Sequence, residues 1–415
     1  MKTVLMLPTG LGLAHTGRLI MLAKELRMCG FKVYFGAGSD AAGVLEHENI
    51  DYIPIREFSK SVYEKKLKRN NLFVYSRRII EDFVRDELSL YHKIKPDLVV
   101  YDFRYTARIS AEIAGIKTVS ITNANMTPYY DFSKVKFPLN TLFFKFLPDR
   151  ILHLINREYG QQFLKQISPM LFQSILIVEM IRMSPSLLKL GYKIRKDPYQ
   201  LLLGDLTLVT DIAEFRPVKP MPSNIKMIGP IFWDGGNKIP KWGKKLAARS
   251  NIVYITAGGT GDKKIFRKII GYFKNSEYTV VATTGNTMKP EALKITYKNL
   301  FVTDYLPGDF ILPKAKIIIF PGGNATCYQA LSFGVPQILT PLHIDQEDNA
   351  NQLERLGCGV VIDPYKELDK RNFLAKVDQI IKNKIYKLNS MAVMGRLKRF
   401  HGPQKAAFLI DKLIS

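Results

Sequence analysis

The sequence predicts an α/β fold made of two Rossmann-like halves. Short apolar runs alternate with helix-like stretches along most of the 415 residues, a pattern typical of parallel sheets with crossover helices. The length suits two or three domains better than one core. Five prolines between residues 217 and 240 interrupt the alternation, so the two halves are expected to meet there.

The first half predicts an N-terminal domain over residues 1–215. Its predicted strands lie at residues 4–7, 32–36, 97–101 and 117–121, with helices over 16–29 and 106–114. Residues 130–205 depart from this rhythm and predict a helical insert rich in basic and aromatic side chains. Residues 216–245 are rich in proline and glycine and predict a linker without regular structure.

The second half predicts another α/β domain over residues 246–395. Its apolar runs predict strands at residues 252–256, 279–283, 301–303, 317–320, 337–339 and 360–362. Residues 396–415 predict a final amphipathic helix, because apolar residues recur there at helical spacing.

Charge and cysteine content restrict the function classes. The net charge of +24 suits a phosphate-bearing ligand, a nucleic acid or an anionic membrane. The basic residues match no nucleic-acid motif, so no nucleic-acid partner is expected. Three scattered cysteines predict neither a disulfide scaffold nor a zinc site, and they fit the reducing cytoplasm. The N-terminus is predicted to be a strand rather than a signal peptide, and no apolar run of about 18 residues predicts a membrane-spanning helix.

The loop after the strand at residues 317–320 predicts an anion site. The run Pro321-Gly322-Gly323-Asn324-Ala325-Thr326 lets the backbone approach a ligand and opens a helix whose unpaired N–H groups suit a diphosphate. The alternative is an ordinary turn in which Thr326 caps the helix.

A second loop, from Pro341 to Ala350, follows the strand at residues 337–339. Asp345 and Gln346 stand side by side there, and a carboxylate next to an amide can bind the neighbouring hydroxyls of a sugar. These elements occur in an order that resembles the donor-binding signature of the UDP-glycosyltransferase superfamily, which includes relatives of the peptidoglycan N-acetylglucosaminyl transferase. The matching elements are Tyr305-Leu306-Pro307, Pro321 to Thr326, Gln329-Ala330-Leu331, Gly334-Val335-Pro336, Pro341 to Ala350 and Gly357-Cys358-Gly359.

The resemblance implies the GT-B fold, in which two Rossmann-like domains face a central cleft and a C-terminal helix crosses back to the N-terminal domain. It implies that Tyr305 stacks on the nucleotide base and that the Leu306 backbone binds the base edge. It also implies that the ribose lies against Gln329 and the donor sugar against Asp345 and Gln346. The diphosphate would be held by Gly322, Gly323, Asn324, Ala325 and Thr326, and by the glycine-rich loop Gly258, Gly259 and Thr260. For that second loop, a plain flexible turn is the alternative.

Two positions depart from the superfamily pattern. Pro321 stands where most members have histidine, which removes a donor to the diphosphate. Gln329 stands where most have the ribose-binding glutamate, and an amide can still accept from one hydroxyl.

The N-terminal half supplies the predicted catalytic residues. Many superfamily members carry a histidine after the first strand that deprotonates the acceptor, and His15 takes this place here. Asp102, at the end of a predicted strand, matches the carboxylate that orients this histidine. The alternatives are that His15 packs at the helix start and that Asp102 caps the next helix. Gly12 and Asn123 are expected to contact the acceptor.

The resemblance therefore implies an inverting, metal-independent glycosyltransferase with a UDP- or dTDP-hexose as co-substrate and no other cofactor. The acceptor is expected to be a small molecule or a lipid. The insert, with 11 basic against 5 acidic residues over 131–200, predicts peripheral binding to an anionic membrane through Phe137, Phe143, Phe144, Phe146, Leu147, Lys134, Lys136, Lys145 and Arg150. Packing of these aromatics in the core is the alternative. Two other functions stay open, a catalytically degenerate binding or partner subunit and a UDP-sugar 2-epimerase.

Overall fold

A computed structural model describes residues 1–10, 13–58, 75–139, 147–233, 235 and 239–415 of the chain. The chain divides into two compact units, each with its own parallel sheet. The N-terminal unit comprises Met1–Lys134, Gln162–Trp233 and His401–Ser415, and the C-terminal unit comprises Val135–Gln161 and Asp234–Phe400. Strands and helices are numbered below in chain order.

The N-terminal unit contains a seven-stranded parallel sheet in the order β3-β2-β1-β4-β5-β6-β7. Its strands are short and mostly buried on both faces, as expected of a parallel sheet covered by helices. The strands are β1 (Thr3–Leu7), β2 (Lys32–Ala37), β3 (Ile53–Pro54), β4 (Leu98–Asp102), β5 (Lys117–Thr122), β6 (Leu206–Val209) and β7 (Ile225–Met227). The helices are α1 (Leu13–Met28), α2 (Ser39–His47), α3 (Arg77–Ile94), α4 (Tyr105–Ile113), most of α6 (Glu158–Lys189) and α13 (Gly402–Ile414).

The C-terminal unit contains a six-stranded parallel sheet in the order β10-β9-β8-β11-β12-β13. In both sheets the strand order reverses beside the first strand of the unit, which is where ligands bind in Rossmann-like folds. The strands are β8 (Ile252–Thr256), β9 (Thr279–Thr283), β10 (Leu300–Thr303), β11 (Ala315–Phe320), β12 (Gln337–Leu339) and β13 (Gly359–Val361). The helices are α5 (Asp149–Asn156), α7 (Lys263–Tyr272), α8 (Gly308–Ile311), α9 (Asn324–Ser332), α10 (Ile344–Arg355), α11 (Lys370–Lys382) and α12 (Lys384–Leu397).

The unit boundaries differ from the sequence prediction in two places. The predicted linker at 216–245 contains β7, which pairs with β6 despite the surrounding prolines, because its three residues carry no proline themselves. The predicted insert is divided, since residues 135–139 contact α10 of the C-terminal unit. There the Leu139 N–H donates to Glu347 Oε1 at 2.8 Å, and Asn351 Nδ2 donates to the Lys136 carbonyl at 3.3 Å.

The final helix, α13, belongs to the N-terminal unit. Ala406, Ala407 and Ile410 lie in the same apolar core as β1 and α1. Gln404 donates to Glu25 of α1 at 2.6 Å. The last residues of the chain are therefore part of the unit that the first residues begin.

Helix α6 is the one described helix that is long and apolar enough to cross a membrane by length and composition. Its best window has a mean hydropathy of 1.3, and 22% of that window is buried. The sequence predicts no membrane-spanning helix because Gln173, Glu179 and Arg182 interrupt the apolar run, whereas a mean hydropathy averages over such interruptions. A core helix of a soluble protein passes the same test, so the property does not by itself place α6 in a membrane.

Candidate functional site

Polar side chains gather at one edge of the N-terminal sheet. Parallel strands end at the same edge, so residues at the ends of β1, β4, β5 and β6, or in the segments that follow them, are brought together from distant parts of the chain. These residues are His15 and Arg18 at the start of α1, Asp102 at the end of β4, Asn123 after β5, and Thr210 and Asp211 after β6.

His15 and Asp102 form the pair predicted from the sequence. His15 Nδ1 lies 2.8 Å from Asp102 Oδ1, with the His15 side chain 26% exposed and Asp102 buried. Phe103 packs its ring on the imidazole at 5.7 Å between centroids. The backbone of Phe103 has φ of 54°, a left-handed conformation that costs an L-residue about 1–2 kcal/mol. This strained residue holds its ring directly beside the histidine, which is typical of a functional site.

Arg18 joins this pair from one helical turn further along α1. Its Nε lies 2.9 Å from Asp102 Oδ2, and its Nη2 lies 3.2 Å from Oδ1 and 3.0 Å from His15 Nδ1. On the other side its Nη1 donates to Thr210 Oγ1 at 2.6 Å and to Asn123 Oδ1 at 3.3 Å. A buried guanidinium thus contacts both oxygens of the carboxylate that faces His15.

Asn123, predicted to contact the acceptor, is part of the same network. Its Nδ2 donates to Asp211 Oδ2 at 3.1 Å, and Asp211 pairs with buried Arg216 at 3.6 Å. Its contact with an acceptor stays a prediction. Gly12, the other predicted acceptor contact, lies outside the described residues.

In the C-terminal unit, the loop after β11 has the backbone that the glycines predict. Gly322 has φ of 111°, and a Cβ there would lie 2.9 Å from the Gln346 carbonyl oxygen. The Gly322 carbonyl accepts from buried Asn349 Nδ2 at 2.9 Å, which fixes the turn against α10. Helix α9 then begins at Asn324, with Gly323 as its N-cap. Because Gly323 has no side chain that could accept from the first N–H groups of the helix, these groups can donate to an anion.

The glycine-rich loop after β8 is tied to the loop after β12 by one side chain. Gln346 is 1% exposed, its Oε1 accepts from the Leu342 N–H at 2.8 Å, and its Nε2 donates to Thr260 Oγ1 at 2.9 Å. Gly258 adopts φ of 58°, and Gly259 and Thr260 are exposed. The structure thus gives Gln346 a definite role in positioning loops, beside the sugar contact that the resemblance implies.

The segment from Tyr305 to Gly308, which follows β10, passes close to Gln329 of α9. Leu306 is buried, and Tyr305 is partly exposed. Gly308 follows them, and a Cβ there would approach Gln329 Nε2 within 2.3 Å. The missing side chain of Gly308 therefore makes room for the Gln329 amide next to the Tyr305–Pro307 segment, as expected of neighbouring base and ribose sites.

Asp345 is exposed in the first turn of α10, next to His343 at the N-cap. Burial lowers the pKa of His343 below its usual value, although the nearby Asp345 carboxylate acts in the opposite direction. His343 is therefore expected to be neutral at physiological pH.

A small pocket lies where the loops after β8 and β11 meet. Gly261 and Asp262 line it from one loop, Pro321 from the other, and Thr340 and Leu342 close it from the loop after β12. Pro321 therefore faces the same space as the glycine-rich loop. Among the described residues, no group of three histidine, cysteine, aspartate or glutamate side chains could hold a metal ion.

Sequence reasoning missed Arg18, Thr210 and Asp211. Arg18 is separated from Thr210 by 192 positions, and its only sequence signal is its place one turn after His15. Thr210 and Asp211 could have been found by the rule that placed Asp102, since both directly follow a buried strand.

The chain is similar to known glycosyltransferases along nearly all of its length. It is 29% identical to a "PGL/p-HBAD biosynthesis glycosyltransferase" of Mycobacterium tuberculosis over 95% of this chain and 88% of the relative. It is also 29% identical to a "PGL/p-HBAD biosynthesis rhamnosyltransferase" of Mycobacterium bovis over 93% and 82%. A relative from the same species called an "inactive" glycosyltransferase is 27% identical over 62% of this chain and 67% of the relative. Residues 268–404 match the family described as "Erythromycin biosynthesis protein CIII-like, C-terminal domain".

Solved structures share the fold over the whole chain. The spinosyn forosaminyltransferase SpnP superposes with a TM-score of 0.71 at 18% identity, covering 100% of this chain and 99% of that one. The glycosyltransferase VinC, in complex with dTDP, superposes with a TM-score of 0.69 at 16% identity over 100% and 99%. At these identities the likeness concerns the fold, and it is the GT-B fold.

Proposed function

From the premise that this chain is a glycosyltransferase with the GT-B fold, we propose that it transfers a hexose from a UDP- or dTDP-sugar to a hydroxyl acceptor. The similarity to known glycosyltransferases and the shared GT-B fold also confirm the resemblance to the UDP-glycosyltransferase superfamily. The observation that carries the proposal is the His15–Asp102 pair, 2.8 Å apart at the carboxyl edge of the N-terminal sheet. The transfer is proposed to invert the anomeric centre and to need no metal.

In this mechanism Asp102 accepts the Nδ1–H of His15, which leaves Nε2 without a proton and able to act as a base. His15 Nε2 takes the proton of the acceptor hydroxyl while the acceptor oxygen forms a bond to the anomeric carbon. The bond from that carbon to the diphosphate oxygen breaks, and the electron pair leaves with the nucleoside diphosphate. The backbone N–H groups at the start of α9 would stabilise the charge that develops on it.

A donor panel with mass spectrometry of the products tests this function. UDP-glucose, UDP-N-acetylglucosamine, dTDP-glucose and dTDP-rhamnose would be offered with lipid and phenolic acceptors. His15→Ala is expected to lower kcat by about 10²–10⁴-fold with the donor Kd little changed, the range for loss of a general base. His47→Ala, at an exposed position, is the matched control. Near-full turnover of His15→Ala would contradict the proposed base.

A catalytically degenerate binding subunit is the second candidate. Pro321 replaces the histidine of the superfamily pattern, Gln329 replaces its glutamate, and one relative is called inactive. Such a subunit would bind a nucleoside diphosphate or a sugar nucleotide but would not transfer the sugar. Replacing His15 would then change nothing that can be measured as turnover. The same donor panel separates the two, because calorimetry would detect binding where mass spectrometry finds no product. The UDP-sugar 2-epimerase alternative would give an isomerised donor without any acceptor product.

For the acceptor we propose a lipid at a membrane surface, on the basis of exposed apolar side chains along α6. These side chains, here called the apolar stripe, are Phe163, Met170, Leu171, Ile177, Val178, Ile181 and Leu188. Most are separated by four or seven residues, so they return to one face of the helix. An exposed apolar face of this length is typical of a surface that binds a partner or a membrane.

The opposite face of α6 packs into the N-terminal unit. Met180, Met183 and Leu187 lie in a core cluster with Phe83 of α3 and Ile109 of α4. A helix held along one side in this way can lay its other side at the headgroup boundary, and we propose that α6 lies on the membrane instead of crossing it.

Cations near the apolar stripe favour an anionic lipid surface. Arg78, Arg85, Arg182 and Lys189 have exposed side chains on α3 and α6, which contact each other through the Glu81–Lys189 pair. A lone cation near an anionic surface contributes about 1 kcal/mol, which salt screens. Each of these four cations is paired with a carboxylate, so its own contribution is smaller. Phe143, Phe144, Phe146 and Lys145, which the sequence analysis assigned to this surface, lie outside the described residues. We propose a cytoplasmic location because none of the three cysteines forms a disulfide.

Sedimentation with vesicles of neutral or mixed anionic phospholipids, at low and high salt, tests the membrane proposal. Binding to anionic vesicles at low salt is expected, and Ile181→Glu with Leu188→Glu should weaken it at least tenfold. Leu388→Glu, at an exposed apolar position on α12, is the matched control. If the double variant instead converts a dimer to a monomer and leaves vesicle binding unchanged, the stripe is a contact between copies and the membrane proposal is wrong.

A further inference from the structure

Arg18 has the contacts of a residue that controls His15. It lies one helical turn after His15 on α1, so the two side chains share a helix face. Its guanidinium is buried and lies within 3.2 Å of both Asp102 oxygens and of His15 Nδ1. Neither the predicted superfamily signature nor the proposed proton transfer uses this residue.

The proton arrangement in this group follows from what each atom can donate. Arg18 can only donate, and a carboxylate can only accept. If Arg18 donated to His15 Nδ1, that nitrogen would carry no proton and would face Asp102 Oδ1 at 2.8 Å with no hydrogen between two acceptors. The arrangement without this conflict has both His15 Nδ1–H and Arg18 Nη2–H donating to Asp102 Oδ1. When the imidazole is neutral, its single ring proton in that arrangement is on Nδ1, and Nε2 is unprotonated.

Arg18 also sets the charge balance around His15. Asp102 and Arg18 are the charged groups in direct contact with His15 among the described residues, and they cancel. Asp211 and Arg216 lie one contact further, beyond Asn123, and pair with each other. The helices α2 and α13 contact α1 further from His15. There Lys24 of α1 pairs with Glu48, which directly follows α2, and Glu25 of α1 accepts from Gln404 of α13.

We propose that Arg18 is a positioning residue for sugar transfer: it clamps Asp102 and cancels its charge, so that His15 is held neutral with Nε2 ready to take the acceptor proton. The inference rests on the proposed function, since it gives His15 the role of base. Thr210 and Asn123 hold the guanidinium from behind, at 2.6 and 3.3 Å, and thereby fix its direction toward the carboxylate. A guanidinium that lies close to both carboxylate oxygens suits this task better than an ammonium because its donors form a rigid fork.

The test compares Arg18→Gln, Arg18→Lys and the control Arg27→Gln in pH profiles of kcat/KM. Arg27 lies in the last turn of the same helix, away from His15, and its Nη2 donates to the Val33 carbonyl at 3.3 Å. Arg18→Gln removes the positive charge and leaves Asp102 to attract a proton to His15. The acid limb of its profile is expected to move to higher pH by about 1–2 pH units, the size of a unit charge a few ångströms away at a partly exposed site.

Arg18→Lys keeps the positive charge, and it can be measured even if Arg18→Gln does not fold. Its acid limb is expected to stay in place while kcat falls about tenfold, because one ammonium cannot hold both carboxylate oxygens. Full kcat in Arg18→Lys would overturn the positioning role. An unmoved limb in Arg18→Gln, with an equal loss of rate at every pH, would also overturn it and make Arg18 a purely structural residue.

A second measurement does not depend on turnover. The imidazole signals of His15, identified by their loss in His15→Ala, can be titrated by nuclear magnetic resonance in each variant. The midpoint in Arg18→Gln is expected to move upward, and the midpoint in Arg27→Gln should match the unsubstituted protein. A moved midpoint in a chain without transferase activity would reject the proposed function and keep the charge effect of Arg18, whereas an unmoved midpoint in an active enzyme would reject the inference alone.

Discussion

Gln346 and its neighbour Asp345 should respond differently to truncation, although the resemblance assigns both to the donor sugar. The Gln346 amide is buried and joins two loops, through the Leu342 N–H at 2.8 Å and Thr260 Oγ1 at 2.9 Å. Asp345 is exposed at the first turn of α10. Truncating Gln346 therefore disturbs the loops themselves, whereas truncating Asp345 removes a group that can reach a ligand.

The hydrogen bonds lost in each variant set the expected changes in stability and affinity. Gln346→Ala loses two hydrogen bonds with a net value of about 1 kcal/mol each, so the free energy of unfolding should fall by about 2 kcal/mol. For a unit of this size, that corresponds to a Tm lower by about 4–8 °C. Release of the Thr260 loop should also weaken binding of the bare nucleoside diphosphate. Asp345→Ala should lower Tm less than Gln346→Ala does and weaken mainly the intact sugar nucleotide, by about 1–3 kcal/mol.

Differential scanning calorimetry and titration calorimetry with UDP, dTDP and the active sugar nucleotide would measure these effects on both variants. The expected pattern is a lower Tm and weaker binding of both ligand types for Gln346→Ala, against a selective sugar effect for Asp345→Ala. If Gln346→Ala keeps its Tm and loses affinity only for the sugar nucleotide, the two loop contacts carry no measurable energy and the reasoning is wrong.

Three further predictions concern single side chains. Pro321→His should tighten nucleoside diphosphate binding at least tenfold in titration calorimetry, because it places a donor beside the glycine-rich loop at the start of α9; weaker binding would mean that the loop has adapted to proline. Cys29 is exposed, whereas Cys327 is buried and burial raises the pKa of Cys358 to about 11. A thiol reagent at pH 8 should therefore modify Cys29 alone in the folded protein and all three cysteines after denaturation. Burial lowers the pKa of His343, so the unfolded chain binds its proton first and stability should fall as the pH decreases from 7 through about 6.5 and below. His343→Gln should flatten that decline in urea unfolding midpoints, and an unchanged slope would contradict it.

The fold class could be predicted from the sequence because parallel strands that are buried on both faces appear as short apolar runs. Ile252–Thr256 and Thr279–Thr283 were predicted with the bounds that the structure has. Strand β7 was not predicted, because the prolines on either side of Ile225–Met227 indicate a linker. The division of the insert could not be predicted either, since Leu139 contacts Glu347 across 208 positions and no local pattern indicates such a contact.

The candidate site shows the same division between local and non-local information. His15 and Asp102 were predicted from the resemblance, and their meeting was expected because parallel strands end at one edge of a sheet. The role of Arg18 was not predicted because a basic residue on a helix usually faces solvent. Only the fold places its side chain against Asp102 and Thr210. Gln346 was found by its motif, but its contact with Thr260 depends on two loops that are 86 positions apart. A motif therefore predicts which side chains reach the site, whereas the charge and the anchoring of those side chains depend on partners that the motif does not contain.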